Sequence, residues 1–101
     1  MPTEAELAQT QIGLLRQAAE FSQKKLAESQ AAQVKLDAEA NAAYAARVEA
    51  RRALGTALVD PDTSPSQKLK LEANYDNLRN ASIEASTAAE TNALRVQAAQ
   101  D

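Results

Sequence analysis

The feature that most constrains this chain is its one break, Leu54-Gly55-Thr56-Ala57-Leu58-Val59-Asp60-Pro61-Asp62-Thr63-Ser64-Pro65-Ser66. It holds one of the two glycines and two of the three prolines. Proline lacks the N–H that a helix interior needs, and its ring clashes with the preceding turn. Pro61 and Pro65 therefore stop a helix and let the chain reverse. A restart signal follows at once. Ser64 is a good N-cap, Pro65 suits the first helical position, and Gln67 stands where a capping box wants Glu or Gln. This pattern predicts an all-α fold, an antiparallel two-helix hairpin spanning 1–101, with helix 3–54, turn 55–65 and helix 66–99.

The first helix has its own start. Thr3 with Glu6 forms a capping box, and Glu4 and Glu6 complement the positive end of the helix dipole. Inside the helix only Gly13 is weak, at about 1 kcal/mol against alanine. Such a length belongs to a coiled coil or bundle element. Ala8, Ile12, Leu15, Ala19, Ser22, Leu26, Ser29, Gln33, Leu36, Ala40 and Ala43 form one row in steps of three and four, with Leu14 and Phe21 widening it. The second helix has a cleaner row: Leu71, Tyr75, Leu78, Ser82, Ala85, Ala89, Asn92, Val96 and Ala99. The hairpin seam is therefore expected on Leu71, Tyr75, Leu78 and Val96. Asn92 and Ser82 cost stability there, although a polar seam residue can fix register.

Composition enters through the size of the core. Only 18 residues are Leu, Ile, Val or Phe, against 24 alanines, so the hydrophobic fraction of 45% overstates what can be buried. Alanine is the best helix former, and the net charge is only −3, so ordered helix with a thin core is expected. The shorter second helix, folded back, reaches the first only to about residue 20. Ile12, Leu14, Leu15 and Phe21 then lack an intrachain partner, and we expect them to contact other subunits in an oligomeric helical bundle or coiled-coil assembly.

Cysteine and histidine are absent, which removes disulfides, thiolate chemistry and the common zinc sites. No metal or cofactor is expected. Asp60-Pro61-Asp62 lacks the glycine and terminal glutamate of a calcium loop and reads as a turn former. Asp37 and Glu39 do not share a helix face, and no histidine activates a serine, so no catalytic residue and no enzyme activity are expected. Arg47, Arg51 and Arg52 could meet a phosphate, or they complement the helix C-terminus and pair with Glu49, Asp60 or Asp62; the second reading is preferred. The mildly acidic balance argues against nucleic acid as a partner. No apolar run approaches the length of a transmembrane segment, and the acidic N-terminus lacks a signal-peptide core.

The segment Tyr75-Asp76-Asn77-Leu78-Arg79-Asn80-Ala81, after a proline-containing turn, resembles the second helix of type III secretion needle subunits, which are also helical hairpins. Leu94 to Asp101 departs from that pattern in lacking an apolar ending, and the first helix is far longer than the resemblance implies. The Ala/Gln/Glu-rich composition is similar to that of small helical virion proteins of tailed bacteriophages, internal ejection proteins among them. Neither resemblance assigns a functional residue. The expected function is a non-enzymatic structural or assembly subunit, with a phage virion component as the first setting. Its partners would be itself or a larger protein assembly, with no small-molecule substrate, in the virion or the cytoplasm. The alternatives are a needle-like secretion-apparatus subunit or another exported helical hairpin, without a cleavable signal, and a small soluble regulator that binds one protein through its N-terminal helix.

Overall fold

The computed structural model describes Met1 and residues 3–101. Helix α1 runs Glu4–Val59 and helix α2 runs Pro65–Gln100, and no strand occurs among the described residues. The two helices pack side by side into a rod of 89 × 17 × 16 Å. The Gln33 amide reaches the Ala89 carbonyl, and the Asn92 amide reaches the Ser29 carbonyl. One number falls as the other rises, so the helices are antiparallel.

Local chemistry accounts for each boundary. At the start, Glu6 N–H donates to Thr3 Oγ1 at 3.2 Å and Thr3 N–H donates to Glu6 Oε2 at 3.3 Å. At the start of α2, Gln67 N–H donates to Ser64 Oγ at 3.1 Å, with Pro65 opening the helix. Only this half of the expected capping box is made among the described residues.

The end of α1 corrects the sequence reading. The helix does not stop at Leu54 but continues through Gly55 to Val59. A glycine inside a helix costs about 1 kcal/mol, which a long packed helix absorbs. Proline acts more strongly, because its ring bars the residue before it from helical geometry. Asp60, before Pro61, has ψ 115°, and Ser64, before Pro65, has ψ 153°. Each proline thus sets one edge of the turn. Between them the Asp60 carboxylate organises the reversal. Its Oδ1 accepts from Asp62 N–H at 2.9 Å and its Oδ2 from Thr63 Oγ1 at 3.2 Å.

The seam is built from small residues. Ala50, Ala57, Ser82, Ala89 and Asn92 are the buried residues among those described. Leu71, Tyr75, Leu78 and Val96 are half-buried in the same α2 row, as are Leu26, Ser29, Gln33, Leu36, Ala40 and Ala43 in the α1 row. That row continues in unbroken three- and four-residue steps through Arg47, Ala50, Leu54 and Ala57. Two helices share only one interface, so no larger apolar side chain is fully buried. One layer is polar and fully bonded. Asn92 Nδ2 donates to the Ser29 carbonyl at 2.9 Å and to Gln33 Oε1 at 3.0 Å. Gln33 Nε2 donates in turn to the Ala89 carbonyl at 3.1 Å and to Asp37 Oδ1 at 2.8 Å. No buried side-chain polar atom among the described residues is left without a partner.

Candidate protein-interaction surface

Helix α2 ends at Gln100, and the register places that end opposite α1 near Phe21. Every described residue from Met1 to Lys25 is exposed. The capping box at Thr3 and Glu6 nevertheless holds the helical start of this overhang. An isolated stretch of that length draws little helical stability from propensity alone.

The overhang carries two apolar stripes. The first continues the hairpin seam upward through Ser22, Ala19, Leu15, Ile12, Ala8 and Ala5, in the same three- and four-residue steps. Ile12 is 50% exposed and Leu15 70%. The second stripe is Leu7, Leu14 and Phe21, spaced by sevens and therefore on one line of the helix. Leu14 is 61% exposed and Phe21 63%, with the Lys25 ammonium 5.5 Å from the Phe21 ring centre. Successive residues on a helix are turned by about 100°, so Leu14 and Leu15 belong to different faces. Of the four residues expected at the contact, Ile12 and Leu15 thus share one face, and Leu14 and Phe21 another. Leu7, 51% exposed, was not singled out in the sequence; its spacing of seven from Leu14 was the available signal.

The arginine cluster meets one half of its expected role and not the other. Because α1 runs on to Val59, no basic residue lies in its last turn, and the dipole role fails. That interaction fades beyond the terminal turn. The expected pairing with Glu49 is made by Arg52 at 2.8 Å across an exposed surface, an arrangement worth little to stability. Arg47 occupies a half-buried seam position, where the register sets it opposite Tyr75. Glu49, Arg52, Thr56, Asp60 and Thr63 border an open groove beside the turn. Its cation is engaged by Glu49, and Asp60 by the turn itself.

Among the described residues, no group of three His, Cys, Asp or Glu side chains could hold a metal ion. No helix among them is long and apolar enough to cross a membrane. The remaining exposed large apolar residues include Val34, Tyr44, Ile83 and Leu94, spaced apart along the rod. Leu58, Val59 and Leu69 are exposed near the turn, whereas the overhang carries Leu7, Ile12, Leu14, Leu15 and Phe21 in stripes along the helix. No known family model, curated protein or solved structure matches this chain.

Proposed function

We propose that this chain is a non-enzymatic structural subunit of a multisubunit assembly, and that residues 7–21 form its main intermolecular contact. One observation carries the reading. A helical extension, capped at its start, presents Leu7, Ile12, Leu14, Leu15 and Phe21 to water on two distinct faces. Full burial of such a side chain is worth about 1.5–3 kcal/mol, and these retain half or more of their exposure. Two faces suit a helix set between neighbours in a bundle better than a single seam does. A virion is the setting that the alanine-, glutamine- and glutamate-rich composition supports.

The test is a double substitution, Leu15→Ser with Phe21→Ser, which removes one anchor from each face. It should abolish assembly while circular dichroism still reports the hairpin between residues 26 and 96. Normal assembly by the double variant would place the contact elsewhere, and the alanine-rich stretch 38–46 would become the next candidate. A regulator that binds one partner would use the same side chains. It differs in remaining a monomer until a non-identical protein is added.

A further inference from the structure

We infer that the seam face of the overhang is occupied by the overhang of a second copy of this chain, antiparallel and related by a two-fold axis, so that two hairpins join end to end. This rests on the assembly reading above and names the partner on one of the two faces.

Continuity of the interface is the first argument. The α1 row that packs against α2 from Leu26 to Ala57 continues without a break in spacing through Ser22, Ala19, Leu15, Ile12, Ala8 and Ala5. The same face that accepts an antiparallel helix along the hairpin is therefore ready to accept another beyond it. The track is empty only where α2 has ended, opposite the region of Phe21.

That geometry selects the direction. A second α1 laid parallel along the seam would start beside Glu4 and, being 56 residues long, would run into α2 once past the overhang. A second α1 laid antiparallel runs clear of the first hairpin beyond Glu4. It also follows α2 head to tail. The negative end of the α2 dipole then faces the positive end of the incoming α1.

Register follows from the same constraint. In antiparallel pairs the two kinds of seam position alternate across the interface, as Ser29–Asn92 and Gln33–Ala89 do here. The longest such overlap that avoids the end of α2 sets Leu15 opposite the second copy's Ala5, and Ile12 opposite the second copy's Ala8. By symmetry the reverse pairs form too, with the axis passing beside Thr10. Every layer then sets a large side chain against an alanine. Two layers of the hairpin are built the same way, with Leu36 opposite Ala85 and Leu71 opposite Ala50. The overlap is short, so pairing should be concentration-dependent.

The test combines sedimentation with small-angle scattering on the full chain across a concentration series. One hairpin is 89 Å long. The end-to-end dimer should measure about 150 Å, from the helical rise and an axis at Thr10. Ile12→Glu should return it to the single-hairpin length; the site is exposed in the hairpin, so folding should survive. An oligomer no longer than about 90–100 Å, given the helical rise, would overturn the end-to-end pairing. If Leu15→Ser with Phe21→Ser then dissolved that shorter oligomer, the assembly reading would stand without it. A monomer at every concentration would also overturn the pairing. The assembly reading would fall separately if the chain met no other protein through residues 7–21.

Discussion

Single residues decide where this chain turns and how its helices are aligned. Ser64 caps α2 through one bond from Gln67 N–H. Replacing it with alanine should lower stability by about 1 kcal/mol, measured by denaturant unfolding under assembling conditions. An unchanged midpoint would mean that Pro65 alone starts the helix. Asn92 acts on alignment. Its amide ties together Ser29 and Gln33 of the facing helix, in a seam made mostly of small or apolar side chains. An apolar replacement removes a buried polar group together with its constraint, which can raise stability while relaxing register. We expect Asn92→Leu to melt no lower than the parent chain and to show doubled amide resonances around residues 29–37. A single set of resonances with a lower midpoint would contradict this role.

The helices show what was legible in the sequence and what was not. The α2 row from Leu71 to Val96 was readable because its steps of three and four are unbroken and its large residues lie near the turn. The upper α1 row was readable only to Ala43, since the next seam position is Arg47, a charged residue that masks the pattern. Arg47 is half-buried there, a place that the long aliphatic stem of an arginine can fill. The partners of Asn92 were hidden because they are set by the hairpin register. Gly55 misled for a different reason. It was read as part of the turn, yet it is an ordinary helical residue, with nothing within 4 Å of the place a Cβ would occupy. Gly55→Ala should therefore stabilise the chain by about 0.5–1 kcal/mol in thermal or denaturant unfolding. Destabilisation would mean that α1 ends before Val59, as first expected. Gly13 stands in equally open space, and Gly13→Ala should raise the helicity of the overhang while leaving the hairpin unchanged.

At the scale of the whole molecule, the fold is a rod with too little interior. Among the described residues the buried apolar ones are three alanines, and five bulky apolar side chains stand exposed where α1 outruns α2. In the proposed assembly, burial between neighbours would supply what one seam cannot, so stability and assembly should be linked through concentration. The exposure of Ile12, Leu14, Leu15 and Phe21 was legible from length arithmetic alone, because the unequal helices had to leave them uncovered by α2. Their spacing already placed them on more than one face, and the α1 register against α2 shows that the Ile12 and Leu15 face continues the hairpin seam. The most direct measurement is native mass spectrometry of the purified chain over a concentration series, with its thermal midpoint followed in parallel. The chain has a mass of 10.8 kDa, and the account predicts fixed multiples of it, with a midpoint that rises with concentration. A single 10.8 kDa species with a sharp, concentration-independent transition would contradict it.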